Sequence, residues 1–387
     1  MTIPVAMFEH SYSPAQMYRL TFPAEAMTAH NKPVKLLRHN MNPSYVNAIL
    51  SEAEVMVLWR TSDDDIYNMV VEASKRESPA VVIDTDDDIT AVDPANPRYC
   101  DFGLVEAQRA DGGRWIDGKE GFDIGRNRHR IDMVLDAMRR ADGLTVPTEA
   151  LRQRMLKHND NIAVFPNCVN TKELRPLSFK QSHCVRLGWQ GDISHIEDVS
   201  LFLAPLARYF RENKADKIVI CGSRLIVDPI TAFLKSRARM DCCEPYDTII
   251  DIRGHYWRMM ALNLDVGLIP LIDTEFNRSR SDIKFTEFAA MGVPCVVSNV
   301  MPYKDVVVDG ETGLLVENTP EAWHHAISRL AKDRKLRKRI GDNARQWAIE
   351  NRDVHSYSQA RWDFYHGVHK TKRARHDMHM RGVERVE

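Results

Sequence analysis

Short runs of apolar residues alternate with helical patterns along most of the chain, and this alternation constrains the fold more than any other feature. Five runs precede residue 170, at residues 3–8, 54–59, 80–85, 143–147 and 161–167. Five more follow it, at residues 184–191, 217–222, 265–271, 294–299 and 313–317. Buried strands that alternate with helices form parallel sheets with crossover helices. The sequence therefore predicts two α/β halves in tandem.

A polar stretch around Pro176 divides the two series of strands and is predicted to be an interdomain linker. The final residues are basic, rich in histidine and without an apolar face, which predicts a disordered tail. The expected organisation is an N-terminal domain at 1–170, a linker at 171–183, a C-terminal domain at 184–352, a helix at 353–369 that packs back towards the N-terminal domain, and a tail at 370–387.

One internal segment, residues 96–130, breaks the alternation because it is rich in glycine and charge and has little periodicity. A loop of that length inside a compact domain is usually functional or mobile. Its arginines either face an anionic partner or are simply solvated.

Composition excludes several classes of protein. The formal net charge of the 387 residues is -1, so no overall basic field attracts nucleic acid or an anionic membrane. No apolar run approaches the roughly 20 residues that span a bilayer, and the first residues lack the pattern of a secretory signal, so we expect a cytoplasmic protein without stable membrane insertion. The seven cysteines are scattered and form no C-x-x-C pair, which argues against a disulfide framework or a zinc site.

The stretch SDIKFTEFAAMGVPCVVSN, residues 281–299, places a lysine and a glutamate at the head of an otherwise apolar helix. Ser281 is a good N-cap and Gly292 a good stop, which predicts a helix over residues 282–291. Three positions, Phe285, Phe288 and Ala289, form an apolar stripe that packs on a sheet. Lys284 and Glu287 share the neighbouring stripe and are expected at the carboxyl edge of that sheet.

Ligands of open α/β sheets bind at this carboxyl edge, where a helix N-terminus offers N–H groups to a phosphate. Lys284 would add a full positive charge, and Glu287 could accept hydrogen bonds from the hydroxyls of a ribose. Phosphate and ribose together indicate a nucleotide. The alternative is a surface salt bridge between the two residues, which is worth only a few tenths of a kcal/mol.

Residues 265–323, which contain this stretch, resemble the donor-binding signature of nucleotide-sugar glycosyltransferases of GT-B fold, in particular glycosyltransferase family four, the glycosyl transferases group 1. The stretches PNCVNTKEL (166–174) and LGWQGDISHIEDV (187–199) resemble that family as well. The resemblance implies two Rossmann-like, doubly wound domains facing across a cleft, with C-terminal helices and with the donor held by the C-terminal domain. It also implies a retaining hexosyl- or pentosyltransferase that needs no essential metal.

For individual residues, the resemblance implies that Lys284 contacts the donor diphosphate and Glu287 the ribose. The first acid of the family's E-x7-E motif falls on Ser279, so another group must contact the transferred sugar. His195 is a candidate for a phosphate or sugar contact, with Arg278 or Arg280 supplying charge, while Asp192 or Ser194 could instead cap a helix. The remaining candidates for donor binding are Gly191, Asp192, Gly222, Ser223, Asn277, Arg278, Ser281, Asp282 and Ile283.

The N-terminal half offers an acidic segment, VVIDTDDDIT, directly after a predicted strand. Such carboxylates could hold magnesium, but we discount this because Lys284 and a helix N-terminus already provide a phosphate site. Asp86 or Asp87 is expected to orient an acceptor or sugar hydroxyl, with loop caps and solvated charge as the alternative. Arg19, on the helix after the first strand, is a candidate phosphate contact or a solvated residue.

The sequence thus predicts transfer of a sugar from a nucleotide-diphosphate sugar, as co-substrate rather than a tightly bound cofactor, to an acceptor hydroxyl. The acceptor stays open between a glycan, a protein, a modified nucleic acid and a lipid-linked sugar. Two rival functions use the same fold: a non-catalytic nucleotide-sugar-binding protein, favoured by the missing acid at Ser279, and a sugar-nucleotide epimerase. A dehydrogenase is disfavoured because no G-x-G-x-x-G follows a predicted strand.

Overall fold

The computed structural model describes residues 3–11, 13–60, 62–176, 184–238, 242–247 and 251–383. The chain forms two compact units. The first unit comprises Met1–Thr90, Asp123–Cys168 and Val354–Glu387, and the second comprises Ala91–Phe122 and Val169–Asp353.

Each unit is built on a six-stranded parallel sheet. The strands of the first sheet and of a small hairpin are β1 (Ile3–Glu9), β2 (Val34–Arg38), β3 (Ala53–Trp59), β4 (Ala80–Asp84), β5 (Ala107–Gln108), β6 (Arg114–Trp115), β7 (Gly143–Val146) and β8 (Ile162–Val164), of which β5 and β6 form the hairpin. The strands of the second sheet are β9 (Arg186–Gln190), β10 (Lys217–Gly222), β11 (Cys243–Asp247), β12 (Val266–Ile269), β13 (Cys295–Ser298) and β14 (Leu314–Val316).

The order of strands fixes where each sheet can bind a ligand. The first sheet runs β2-β1-β3-β4-β7-β8, and the second runs β11-β10-β9-β12-β13-β14. Counted along the chain, the second order is 3-2-1-4-5-6, that of the Rossmann fold, and it reverses between β9 and β12. The first order reverses between β1 and β3. A crevice opens at such a reversal, outside the carboxyl ends of the strands.

The prediction of two doubly wound α/β halves is confirmed. Ten strands match the apolar runs of the sequence, whereas β2 and β11 are missed. Both are edge strands with alternating or partial exposure, so they lack the continuous apolar run that marks a strand buried on both faces.

Helices connect the strands. They are α1 (Pro14–Gln16), α2 (Phe22–Ala29), α3 (Pro43–Glu52), α4 (Asp64–Ser74), α5 (Tyr99–Phe102), α6 (Ile124–Arg140), α7 (Glu149–Met155), α8 (Ile196–Glu212), α9 (Arg224–Ala238), α10 (Ile252–Ala261), α11 (Glu275–Arg278), α12 (Ile283–Ala290), α13 (Tyr303–Val306), α14 (Pro320–Lys332), α15 (Arg334–Asn351) and α16 (Ser358–Val383). A π-helical turn spans Met17–Thr21, and 3-10 turns span Ile89–Ala91, Ile193–His195 and Val354–Tyr357. Among the described residues, no helix is both long enough and apolar enough to cross a membrane.

Each unit has its own apolar core between sheet and helices. In the second unit Trp189 of β9, Phe202 of α8 and Trp323 of α14 are almost completely buried. In the first unit Met7 of β1 packs with Tyr365 of α16 in the same cluster. Burying such a side chain contributes roughly 1.5–3 kcal/mol to stability. These cores hold the loops at the carboxyl edges in place.

The segment 96–130 is more ordered than the sequence predicts. Its first part, within 91–122, contains α5 and the β5–β6 hairpin, and Tyr99 stacks on Phe122 with ring centres 5.9 Å apart. Its last part is the start of α6, capped by the Asp123 side chain. The segment Ala91–Phe122 groups with the second unit, so the predicted boundary at residue 170 misplaces it.

The C-terminal end is also ordered further than predicted. Helix α16 packs on α2 and β4 of the first unit and continues to Val383. The Lys372 ammonium is buried, donates to the carbonyls of Ala73 and Pro79, and lies 3.0 Å from a carboxylate oxygen of Asp142. The prediction of a disordered tail is therefore wrong for residues 370–383, because this helix does have a side that packs. Residues 384–387 lie outside the described part.

Candidate functional site

The candidate site lies at the carboxyl edge of the second sheet, at the reversal between β9 and β12. Strand β9 ends at Gln190 and leads into a loop that begins with Gly191. Helix α12 begins at Ile283, one residue later than predicted, and carries Lys284 in its first turn. The structure therefore brings together the loop after β9 and the N-terminus of α12, as the sequence predicts.

Lys284 is an enclosed cation at this edge. Its Nζ lies 5.6 Å from the centre of the Trp189 ring. Burial, and after it the positive charge of Arg280, lower the pKa of Lys284 to about 8, although Asp198, Asp192 and Glu287 oppose this shift. Within the described part of the chain, no carboxylate lies within 4.0 Å of this ammonium. A partly desolvated ammonium without a paired carboxylate is suited to bind an anion.

Two glycines allow the close packing around Lys284. A Cβ atom added at Gly191 would lie 2.7 Å from a ring atom of Trp189 and 3.0 Å from the Lys284 Nζ. A Cβ atom added at Gly222, the end of β10, would lie 2.6 Å from the Gly191 carbonyl oxygen. Real Cβ contacts are rarely this short, so side chains at either position would displace the loop or the lysine. Next to Gly222, the buried hydroxyl of Ser223 has no hydrogen-bond partner among the described residues.

Glu287 lies one turn further along α12 and is 6% exposed. The side-chain Nε2 of Gln190 donates to its Oε2 over 2.6 Å. The last residue of β9 therefore fixes the orientation of this carboxylate. Its assignment to a ribose stays a prediction.

A chain of hydrogen bonds links the start of α8 to Arg280. The Nδ1 atom of His195 lies 2.7 Å from Oδ2 of Asp198, and its Nε2 lies 3.3 Å from Nη1 of Arg280. The other oxygen of Asp198 accepts a hydrogen bond of 2.7 Å from the backbone N–H of Ile272. Because the arginine can only donate, His195 accepts at Nε2 and donates from Nδ1 to the carboxylate.

The charges in this chain follow from burial. Desolvation, followed by the charges of Lys284, Arg280 and Arg98, holds the pKa of His195 well below its usual range, so the imidazole is neutral. Desolvation raises the pKa of Asp198 to about 6. His195 therefore adds no positive charge, and it orients Arg280 beside Lys284.

Asp192 has the capping role that the sequence left open. Its Oδ1 accepts a hydrogen bond of 3.0 Å from the backbone N–H of Ser194 and another from the Ser194 hydroxyl. Desolvation would raise the pKa of Asp192, but the bonds from Ser194 and the charges of Arg280 and Lys284 outweigh it, and the pKa is lowered. Asp192 is thus an ionised cap next to the two cations.

Several predicted donor-binding residues have structural partners instead. Oδ2 of Asp282, at the start of α12, accepts hydrogen bonds from Nε and Nη2 of Arg352 over 3.0 and 2.7 Å. The Asp282 carboxylate is therefore already paired. Arg278 forms an exposed pair with Asp273 at 2.6 Å. Between the two candidates for added charge, Arg280 and not Arg278 therefore faces the cluster.

The remaining residues lie between the end of α11 and the first residue of α12. Asn277 donates from Nδ2 to the Ile272 carbonyl over 2.9 Å, and Ser279 donates from its hydroxyl to the Phe276 carbonyl over 2.9 Å. Ser281 precedes α12, but the N-cap position belongs to Asp282, so the predicted cap is one residue off. Ile283 is the first residue of the helix.

Arg19 of the first unit is not a phosphate contact. Its guanidinium is completely buried and donates from Nε and Nη2 to the two oxygens of Asp84, both over 2.8 Å. It also donates to the Phe165 carbonyl and to Asn167. The expectation from the sequence was wrong because the ion partner lies 65 residues away, on β4.

The acidic segment after β4 is balanced by arginines. Asp86 and Asp87 lie 3.7 and 3.9 Å from Nη2 of Arg60, and Asp88 pairs with Arg154. The described residues contain no group of three or more His, Cys, Asp or Glu side chains arranged to hold a metal ion. The roles of Asp86 and Asp87 towards a hydroxyl stay predictions.

Sequence reasoning missed two groups at the end of β1. An oxygen of Glu9 and Nδ1 of His10 are buried and have no hydrogen-bond partner among the described residues. Burial raises the pKa of Glu9 and lowers the pKa of His10. The signal was available, since Glu9 ends the first strand and His10 follows it, next to the reversal between β1 and β3.

In the second unit, sequence reasoning missed Trp189, Gln190 and Asp198. The spacing of three between His195 and Asp198 in a first helical turn could have indicated their contact. The pattern of β9 could not have indicated the roles of Trp189 and Gln190, because this strand is buried on both faces.

Comparison with known proteins supports the fold and a family resemblance. Residues 283–347 match the family model described as glycosyl transferases group 1. The capsular polysaccharide biosynthesis glycosyltransferase CapM of Staphylococcus aureus is 36% identical over 86 residues. That stretch spans 22% of this chain and 22% of CapM.

Solved structures extend the likeness over both units. HepE of Anabaena, solved in complex with UDP and glucose, superposes with a TM-score of 0.62 at 11% identity over 93% of this chain and 98% of HepE. TarM superposes with a TM-score of 0.58 at 12% identity over 83% of this chain and 57% of TarM. The chain therefore has the GT-B fold and resembles the group 1 glycosyltransferases.

Proposed function

We propose that this protein transfers a sugar, with retention of configuration, from a nucleotide-diphosphate sugar to an acceptor hydroxyl. The observation that carries the proposal is the pair of cations, Lys284 and Arg280, at the N-terminus of α12. A diphosphate is the anion that suits two adjacent cations and free N–H groups of a helix end. Proteins of this fold that carry UDP in their crystal structures, such as HepE, support the assignment.

The cluster matches the charge that develops during transfer. The bond between the anomeric carbon and the donor phosphate oxygen breaks, and negative charge grows on the leaving diphosphate. Lys284 and Arg280 would stabilise that charge, while Glu287, held by Gln190, would position the ribose. The new bond forms from the acceptor oxygen to the anomeric carbon. In a retaining reaction on one face, the acceptor proton passes to the leaving phosphate oxygen, so no side chain has to act as general base.

In this proposal, the hydrogen-bonded chain of Asp198, His195 and Arg280 positions the second cation of the cluster. Asp198 accepts a hydrogen bond from Nδ1 of the neutral His195 and orients its ring, and His195 holds Arg280 beside Lys284. The two residues are positioning residues: they act through Arg280 rather than by touching the diphosphate.

We further propose that the reaction needs no essential metal ion. Two cationic side chains can neutralise the diphosphate, a task for which other transferases use a divalent ion. The acidic segment supports this, because each of its carboxylates has an arginine nearby: Arg19, Arg60 or Arg154. Asp86 and Asp87 are proposed to orient a hydroxyl of the acceptor or of the sugar.

The test is turnover of a panel of nucleotide-diphosphate sugars by the full chain, with and without EDTA. If Lys284 contributes a charge-assisted hydrogen bond of about 1.5–3 kcal/mol, Lys284→Ala should slow turnover roughly 10- to 100-fold. Lys304→Ala, which removes an exposed lysine of α13, is the matched control and should leave the rate unchanged.

The same assay separates the rival functions. A pure binding protein would show no release of nucleoside diphosphate from any donor, and an epimerase would convert the sugar without releasing it. Release of nucleoside diphosphate that depends on Lys284 and not on Lys304 supports the transferase. Wild-type rates for Lys284→Ala would contradict the assigned site.

A further inference from the structure

A cavity of about 200 Å³ lies in the second unit next to the cation cluster. Its walls come from the segment 91–122, from the start of α8, from the loop between β12 and α11, and from α11 itself. A cavity of about 150 Å³ is known to hold a benzene molecule. This cavity therefore has room for about one sugar ring.

The chemistry of the walls selects the kind of ligand. They combine the carboxylates of Asp93 and Glu197, the amides of Asn96 and Asn277, and the aromatic ring of Phe276. Among the described residues, the cavity is lined by no lysine or arginine, so a phosphate inside it would lie against carboxylates. Carboxylates and amides that accept and donate hydrogen bonds around one aromatic face suit an uncharged ligand rich in hydroxyls.

Glu197 is the side chain with the clearest need for a ligand. Its carboxylate makes no hydrogen bond or ion pair within the described part of the chain, although it is partly buried in the first turn of α8. Desolvation, and after it the charge of Asp93, raise its pKa. A partly desolvated acceptor is stabilised by hydroxyl donors from a bound molecule.

The wall formed by the segment 91–122 is preorganised. The Asn96 amide donates to the Ser194 carbonyl over 3.3 Å, which ties this segment to the turn before α8. The Trp115 indole donates to the Pro94 carbonyl over 2.7 Å, and Trp115 packs against Phe122. A rigid wall lowers the entropy cost of binding.

We propose that this cavity is a subsite for an uncharged sugar ring of the acceptor, so that the acceptor is a saccharide. The inference rests on the proposed function, which it extends to the class of acceptor. The cavity is lined neither by Lys284, where the resemblance puts the donor diphosphate, nor by Ser279, the motif position that it associates with the transferred sugar. Ser194 and Asp198 do line it, and Asp198 holds His195, so the subsite directly adjoins the donor cluster.

The experiment uses the full chain saturated with UDP and measures binding of methyl α-glycosides of neutral hexoses by saturation-transfer NMR. We expect at least one glycoside to bind alongside UDP. Replacing the Glu197 carboxylate in Glu197→Gln should weaken that binding about tenfold or more, since a hydrogen bond to a charged group is lost. Glu212→Gln changes an exposed glutamate at the other end of α8 and should bind as wild type does.

Several results would overturn the inference and leave the donor site intact. These are UDP binding without binding of any glycoside, glycoside binding unaffected by Glu197→Gln, and binding of glucosamine alone, which would indicate an amine site. Displacement of the glycoside by UDP-glucose but not by UDP would assign the ring to the donor and not to the acceptor. Conversely, glycoside binding through Glu197 in a protein that binds no nucleotide would leave the subsite standing and overturn the proposed function.

Discussion

The charged groups at the carboxyl edges of the two sheets differ in how they are paired. At the edge of the second sheet, Lys284 has no paired carboxylate within 4.0 Å among the described residues, and its pKa is lowered. At the edge of the first sheet, both carboxylate oxygens of Asp84 are paired with the Arg19 guanidinium. Asp86 and Asp87 lie within 4.0 Å of Arg60.

The difference indicates which charges serve the fold and which serve a ligand. A buried charge that has its partner contributes to a unique structure, and removing the partner destabilises the protein. An enclosed charge without a partner is stabilised when a ligand supplies the opposite charge. The two edges should therefore respond to mutation in opposite ways, one through stability and the other through binding.

The largest effect is expected at the first edge. Arg19→Ala leaves the Asp84 carboxylate buried without its cation and should lower the free energy of unfolding by about 3–5 kcal/mol. Denaturant titration measures this change. Arg278→Ala, which breaks the exposed pair with Asp273, is the control and should change stability far less. Equal effects of the two variants would remove the contrast between the edges.

At the second edge, Gly191→Ala should weaken nucleotide binding without loss of the fold. The added methyl group would lie 3.0 Å from Lys284 Nζ and 2.7 Å from Trp189, and such overpacking costs about 1–3 kcal/mol. Calorimetric titration with nucleoside diphosphates measures the loss, which we expect to be about tenfold or more. Gly367→Ala on α16, where an added methyl group meets nothing within 4 Å, should bind normally.

Asp198→Asn tests the chain that orients Arg280. An asparagine can still accept from the Ile272 N–H, but its amide would donate towards Nδ1 of His195 and favour a proton on Nε2, which faces the arginine. We expect KM for the donor to rise about tenfold, with a smaller change in kcat. An unchanged KM would mean that Arg280 does not depend on this chain.

The smallest effect is a pH dependence of nucleotide binding. With a pKa of about 8, Lys284 is mostly protonated at pH 7 and mostly neutral at pH 9. Because only the protonated form attracts a diphosphate, affinity should fall about tenfold as pH rises from 7 to 9. Lys284→Ala should abolish this decline. A decline of the same size in that variant would assign it to another group.

Much of the fold was accessible from the sequence because strands buried on both faces read as continuous apolar runs. The edge strand β11 was not predicted, since its residues Cys243–Asp247 are half exposed and form no continuous apolar run. The tail beyond residue 370 was missed because its packing side depends on Lys372, a residue that composition assigns to solvent.

The site residues likewise divide into those with local signals in the sequence and those that depend on distant contacts. The place of Lys284 and Glu287 on α12 was predictable because a stop and a spacing of three are local signals in one helix, whereas their roles stay predictions. The role of Arg19 was not predictable, because it depends on Asp84. That residue comes near Arg19 only when β4 packs against the first helices. The choice of Arg280 over Arg278 also required the structure, since both are equally basic in sequence.

The most direct test of the central claim is calorimetric titration of UDP and the other nucleoside diphosphates into wild type, Lys284→Ala and Lys304→Ala at pH 7. We predict that wild type and Lys304→Ala bind one nucleoside diphosphate with the same affinity, and that Lys284→Ala binds it about 10- to 100-fold more weakly at unchanged stability. Equal affinity in all three proteins, or no binding by wild type, would contradict the assignment of this edge to a nucleotide-sugar donor.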